Sequence, residues 1–241
     1  KQEQYSVKAV LLIAVSFLVF LSVARFFVIN RTVLPYVYPL AAFSLTLAAI
    51  FNFEIAAIFS LIIGVMTAYG LSNGFDLTVY YILPTIIGIL ALGKARRIAA
   101  FFISGITIGL AGIAIVLAYR LPDSLTDWIG IATLSGASAI NGIAAAGVTL
   151  LLQFIFSHFL GMTTALQLLE TSRPDHPLLQ RILRNAPGSY QHSLQVANLA
   201  EQAAEAIGAD GLLVRVGAIY HDCGKTRNSQ FFIENQVQGE L

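Results

Sequence analysis

Two residue types that bind divalent cations and one that meets phosphate are gathered in the last third of the chain. His192 is followed 29 positions later by His221-Asp222, and then by Gly224-Lys225. Imidazole nitrogen combined with carboxylate oxygen suits Mn, Fe or Zn better than Ca. Asp222 has two oxygens and can bridge two cations, while Gly224-Lys225 offers a turn and a positive charge for a phosphate. Taken alone, His192 reads as a packed histidine on an apolar helix face; the adjacent His-Asp pair is what turns it toward metal binding. Neighbouring helical residues diverge by about 100°, so His221 and Asp222 are expected to flank a centre rather than point at one spot. Cys223 reads as a small packing thiol, and His176, between Pro174 and Pro177, as a capping or surface residue.

The elements that must position these groups are helical. Residues 190–207 carry Val196, Leu199, Ala203 and Ile207 along one stripe, which places His192 on the packed side. Gly208 is expected to close that helix and Asp210 to cap the next. The second helix then carries Leu213, Val214, Val216, Gly217 and Tyr220 inward to His221, with Gly217 admitting a close neighbour. Upstream, residues 161–175 read as an amphipathic connector with Leu166 and Leu169 on one face, stopped by Ser172-Arg173-Pro174. A short helix starts at His176-Pro177 and breaks at Asn185-Ala186-Pro187-Gly188.

What precedes is a membrane domain. The 241 residues are 57% hydrophobic and 11% charged, with a mean hydropathy of +0.76, beyond what soluble domains tolerate. Thirteen of the 27 charged residues are spread over residues 1–160, leaving the rest for the last third. Crossing a hydrocarbon core takes roughly 17–25 apolar residues, and about six runs qualify: 6–29, 33–51, 54–72, 76–93, 97–119 and 127–160. The first is too long for a signal-peptide core and lacks a small-residue cleavage site. Pro84 is expected to kink its helix without ending it. The last run is long for one crossing and is expected either to tilt and extend or to break among Gly130, Gly136, Gly142 and Gly147.

Ser44, Thr46, Ser60, Thr67 and Thr107 read as interhelical hydrogen-bond partners. Arg25, Glu54 and His158 lie near run ends, where they can snorkel, which favours an anchor or sensor over a transporter. The basic cluster Lys94, Arg96 and Arg97 predicts a cytoplasmic loop. Both ends of the chain then lie inside, Asp76, Asp123 and Asp127 outside, and Arg31 and Arg120 outside as exceptions. A net charge of +1 without basic runs excludes a nucleic-acid polymer as partner. One cysteine excludes an internal disulfide. The fold class expected is all-α: a polytopic helix bundle over 1–160, a connector over 161–175 and part of a helical hydrolase domain over 176–241.

The arrangement of His192, His221-Asp222 and Gly224-Lys225 resembles the opening motifs of the HD superfamily of metal-dependent phosphohydrolases. Asn185-Ala186-Pro187-Gly188-Ser189-Tyr190-Gln191-His192-Ser193, Val196-Ala197-Asn198-Leu199-Ala200-Glu201 and Phe231-Phe232-Ile233-Glu234-Asn235-Gln236 are similar to the seven-transmembrane receptors with an intracellular HD hydrolase. The membrane part is similar more loosely, through Ala24-Arg25 and Pro35-Tyr36.

The resemblance implies a bacterial plasma-membrane phosphodiesterase that hydrolyses cyclic di-AMP to a linear dinucleotide, with its HD domain cytoplasmic. It implies His192, His221 and Asp222 as ligands in a centre of two Mn or Fe ions, Asp222 bridging, and Asp222 and Lys225 in catalysis. It is compatible with a homodimer, and with the membrane part starting at the family's second span. The family's further metal ligands are expected after Leu241, so this stretch by itself is expected to bind metal weakly and turn over nothing. Cyclic di-GMP, ppGpp or a deoxynucleotide remain alternative substrates, and a non-catalytic receptor or scaffold an alternative role.

Overall fold

A computed structural model describes residues 7–71, 73–93, 95, 98–122, 127–161, 163 and 165–236. The cluster Lys94, Arg96 and Arg97, the N-terminal Lys1 and Asp123 lie outside the described residues, as does the side chain of Leu166. The described residues are helical with no strand, as the apolar periodicity requires, and divide into two units, Lys1–Met162 and Thr163–Leu241.

The first unit holds α1 (Val7–Val28), α2 (Leu34–Val37), α3 (Ala41–Ile50), α4 (Phe53–Ala68), α5 (Gly74–Leu92), α6 (Ile98–Arg120) and α7 (Trp128–Leu160). Helices α1, α5, α6 and α7 are each long and apolar enough to cross a membrane, and the stretches Leu34–Ile50 and Phe53–Ala68 are shorter apolar segments. The apolar faces of α1 and α6, including Leu18 and Ile106, are exposed, as lipid-facing helices require. Pro84 sits within an unbroken α5. At 33 residues, α7 is roughly 50 Å long, more than a hydrocarbon core of ~30 Å. It is continuous, so of the two expectations for this run, tilt or extension holds. Its close packing is real at one place: a Cβ on Gly142 would collide with the carbonyl of Gly105 on α6, letting the two backbones touch.

The 33–51 run differs from a simple span. Tyr38 adopts φ −66°, ψ 119° because the residue before a proline is pushed out of the helical region, and Pro39 has no N–H to continue the ladder. The helix therefore breaks into α2 and α3, and in an apolar bundle each freed carbonyl needs a donor. The Tyr81 hydroxyl donates to the Pro35 carbonyl at 2.8 Å, and that of Tyr80 to the Tyr36 carbonyl at 2.9 Å. Asn141 Nδ2 donates to the Tyr36 and Tyr38 carbonyls at 3.2 and 2.9 Å.

These residues, not the hydroxyls expected for the task, join the helices. Thr46, Ser60 and Thr107 donate to Ala42, Ala57 and Ser104 of their own helices, because a carbonyl three or four residues back is always within reach of a short hydroxyl. Ser44 Oγ and Thr67 Oγ1 are buried with no partner among the described residues. Arg25 donates to the Thr67 and Tyr69 carbonyls, covering the orphan acceptors at the end of α4. Glu54 and His158 are exposed.

Asn141→Leu should leave the Tyr36 and Tyr38 carbonyls with only the Tyr80 hydroxyl and the Leu40 N–H as donors and lower stability by about 1 kcal/mol. Thr46→Val, which removes only a self-satisfied hydroxyl, should cost about 0.5 kcal/mol or less. Reversible unfolding of both variants in bicelles compares the two.

Candidate metal centre

The second unit contains α8 (Ala165–Thr171), α9 (Pro177–Asn185), α10 (Pro187–Ala206), α11 (Gly211–Tyr220) and three 3-10 turns, Cys223–Arg227, Ser229–Phe231 and Ile233–Asn235. Pro177 and Pro187 each open a helix, where a missing N–H costs nothing. The break between α9 and α10 is therefore Ala186 alone, and α10 starts three residues earlier than the apolar pattern indicates. Asp210 caps α11 as expected, its carboxylate accepting from the Leu213 N–H at 3.1 Å. Leu179, Ile182, Ala197 and Ile219 form the core, with Cys223 packed against it. In α8 the inward leucine is Leu168, and Leu169 is exposed.

The buried stripe of α10 consists of Ser189, Ser193, Ala197 and Ala204. Leu199 and Ile207 are 70% and 82% exposed, so the stripe drawn through the larger apolar residues is rotated from the real one. Small side chains let α9 and α11 approach α10, and the bulky residues point elsewhere. His192 turns outward with them and is exposed, not packed. Gly217 has open space around it; the close approach falls at Gly211, where an added Cβ would meet Glu205 Cγ at 2.8 Å.

His221 and Asp222 converge instead of flanking. Helix α11 ends at Tyr220, so the 100° helical divergence does not apply to them, and His221 Nε2 lies 3.3 Å from Asp222 Oδ2. One ligand atom from each of His192, His221 and Asp222 can be chosen so that all three lie within 4.8 Å of one another. The His192 and His221 rings are 5.6 Å apart between centroids. His221 Nδ1 is 2.7 Å from the Ala218 carbonyl. A carbonyl only accepts, so Nδ1 carries the proton and the lone pair of the neutral ring is on Nε2. A backbone carbonyl that fixes the tautomer in this way is the usual support of a metal-binding histidine. Two imidazoles and a carboxylate, converging and partly open to solvent, fit a divalent transition metal ion.

Lys225 is shared between two carboxylates. Its Nζ donates to Asp222 Oδ2 at 2.8 Å and to Glu234 Oε1 at 2.7 Å, and lies 4.9 Å from the centre of the Phe232 ring. Hydrogen bonds to Asp222 first, then Glu234, raise its pKa. Glu234 Oε1 also accepts from the Ser189 hydroxyl at 2.9 Å. Asn235 completes the lock: its Oδ1 accepts from the Ser189 N–H at 3.0 Å and its Nδ2 donates to Ser189 Oγ at 2.9 Å. Asn235 thus supplies the first turn of α10 with a cap from far along the chain. A Cβ on Gly188 would collide with the Glu234 carbonyl, so only glycine fits there.

Ser189, Glu234 and Asn235 were not singled out by residue chemistry. Their one sequence signal was membership of two of the three stretches carrying the family resemblance, 185–193 and 231–236.

His176 is drawn to a different partner. Its Nδ1 lies 3.0 Å from the Tyr220 hydroxyl, which donates to the Thr171 carbonyl at 2.6 Å. His176 is also the residue preceding α9, without a side-chain cap. Burial, then Cys223, raises the Tyr220 pKa. The ends of α8 and α9 are thereby tied to the residue before His221.

A helical membrane unit is followed along the chain by a helical unit whose clustered His192, His221 and Asp222 form a candidate metal site. The model described as a 7TM receptor with intracellular HD hydrolase matches residues 2–164, and the HD domain model matches 189–240. The chain belongs to the family of 7TM receptors with an intracellular HD hydrolase.

It is similar to two proteins named cyclic-di-AMP phosphodiesterase PgpH. That of Bacillus subtilis (strain 168) is 37% identical over 209 residues, covering 84% of this chain and 29% of the relative. That of Listeria monocytogenes serotype 1/2a (strain 10403S) is 36% identical over 219 residues, covering 87% and 30%. An uncharacterized protein of Synechocystis sp. (strain ATCC 27184 / PCC 6803 / Kazusa) is 45% identical over 95 residues, 39% of this chain and 11% of that one. The chain spans less than a third of the length of the two named phosphodiesterases. No solved structure matches.

The Lys225 hydrogen bond, the backbone N–H of Glu234 and the Ser189 hydroxyl together hold the Glu234 carboxyl down at about 2. A depressed carboxyl stabilises the fold above its unfolded value and ceases to as pH falls through the folded one. Stability should therefore drop between about pH 4.5 and 2. In Glu234→Gln that drop should shrink, the two proteins differing near pH 6 and converging near pH 2. Unfolding midpoints followed by circular dichroism across that range check this.

Proposed function

We propose that this chain provides the membrane anchor and the first metal ligands of a phosphodiesterase that hydrolyses cyclic di-AMP to a linear dinucleotide. The observation that carries the reading is the convergence of His192, His221 and Asp222 with the His221 tautomer fixed by Ala218. The cyclic-di-AMP phosphodiesterase activity in the names of the two PgpH relatives supplies the substrate. The functional parts are a transmembrane region over 1–160, a connector over 161–175 and the hydrolase portion over 176–241, with the hydrolase on the cytoplasmic side.

His192, His221 through its Nε2 and the Asp222 carboxylate would hold the divalent ions, Mn or Fe. A bound divalent pair supplies the positive charge that polarises a phosphodiester and acidifies water. The protein's part is positional. Ala218 keeps the Nε2 lone pair of His221 facing the site. Lys225 pairs with Asp222 and is held at the rim by Glu234. Its ammonium there meets the negative charge that a phosphodiester brings.

His221→Ala or Asp222→Ala in the full-length polypeptide should abolish release of the linear dinucleotide from cyclic di-AMP, a loss of at least about 100-fold. Chromatography of products from cyclic di-AMP, cyclic di-GMP and ppGpp, with chelator controls, measures it. Undiminished turnover by either variant would remove the assignment, and preferred hydrolysis of ppGpp would replace the substrate.

A further inference from the structure

Three arginines, Arg25, Arg31 and Arg120, lie at the end of the first unit where the α1–α2, α4–α5 and α6–α7 connections meet. Arg25 is bonded to the carbonyls that end α4. Arg31 and Arg120 make no ion pair among the described residues. Both line the same cavity of about 400 Å³, together with Asn30, Thr32, Asn73 and Tyr36. No described acidic residue lines it.

Asn73 precedes α5 without using its side chain as a cap, so its amide is available to the cavity. Pro35 and Leu77 contribute apolar wall. Thr32 and Arg120 also line an adjoining cavity of about 370 Å³ that contains Asp127. That carboxylate is occupied in capping α7, where its Oδ1 accepts from the Gly130 N–H at 3.0 Å.

Two guanidiniums with no ion pair among the described residues, flanked by amide and hydroxyl donors in a concave site of ligand size, are a receptor for an oxyanion. The floor of the cavity is built rather than incidental. Tyr36 packs edge-on against Tyr80 at 4.8 Å, and its carbonyl is held by both Tyr80 and Asn141.

We propose that Arg31 and Arg120, with Asn30, Asn73 and Thr32, bind a phosphate-type oxyanion carried on a small organic body. The anion sits between the guanidiniums and its apolar part lies against Pro35 and Leu77. Two sources offer that chemistry, a soluble phosphate ester and the headgroup of an anionic phospholipid.

The test uses the full chain in nanodiscs. One arm titrates glycerol 1-phosphate onto protein in pure phosphatidylcholine discs; the other compares those discs with discs containing phosphatidylglycerol. The fluorescence of Trp128, the single tryptophan, at the start of α7, and the unfolding midpoint are the readouts. A saturable change in the first arm identifies a soluble ligand, and a change confined to the second identifies a headgroup.

Either response should weaken at least tenfold in Arg31→Gln/Arg120→Gln and persist in Lys8→Gln, which removes the same kind of charge from the start of α1. Arg31→Lys/Arg120→Lys, which keeps the charge and safeguards folding, should weaken it less. No saturable response in either arm would overturn the proposal. So would equal responses in wild type and the charge-removing variants, or an equal loss in Lys8→Gln.

Discussion

A carboxylate set among partly buried groups needs a cation, and the organisation of the second unit follows from how Asp222 obtains one. Lys225 reaches it from the next 3-10 turn and is shared with Glu234. Glu234 takes the Ser189 hydroxyl, and its neighbour Asn235 takes the Ser189 backbone. One charge requirement thus orders residues 222–235 over the start of α10, the helix that carries His192. The turn segment is not a loose tail on the site. It fixes the helix from which the first ligand projects.

The membrane unit solves a different shortage, of hydrogen-bond donors instead of charge. Breaking a helix at Pro39 frees carbonyls where no water is present, and two tyrosines and an asparagine from α5 and α7 are spent on them. These bonds cross between helices. The many serines and threonines of the bundle mostly satisfy themselves within their own helix, so they fill space and permit close approach without choosing a partner. Specific registration of α2 against α5 and α7 rests on Tyr80, Tyr81 and Asn141.

The class of fold and the three residues that cluster as candidate ligands were legible because they rest on local signals: long apolar runs, proline starts, an aspartate cap and a His-Asp pair. What was not legible depends on which face packs. The stripe through Val196, Leu199 and Ile207 follows hydrophobicity, but α10 packs through Ser193 and Ala197 because its neighbours come too close for leucine. Pro39 stood in plain view, and its effect differs from that of Pro84 because the chain at Tyr38 turns extended whereas α5 continues through its proline. Convergence of His221 and Asp222 required knowing that α11 stops at Tyr220, a boundary that a helical pattern running on toward His221 does not mark. Lys225 was recognised as a cation, but its carboxylate partner on Glu234 lies nine residues away across two turns and has no spacing rule to announce it.

The Tyr220 hydroxyl gives the connector a mechanical tie to the site. It holds the Thr171 carbonyl and faces His176, and the residue after it is the candidate ligand His221. A hydrogen bond of this sort is worth about 1 kcal/mol net, or about a fivefold shift in population. Displacing the 171–176 segment can therefore detach from His221 at little cost or drag it slightly before letting go. The joint behaves as a slipping clutch: it passes on small movements in graded form and releases under large ones, leaving the ligand cluster itself undamaged.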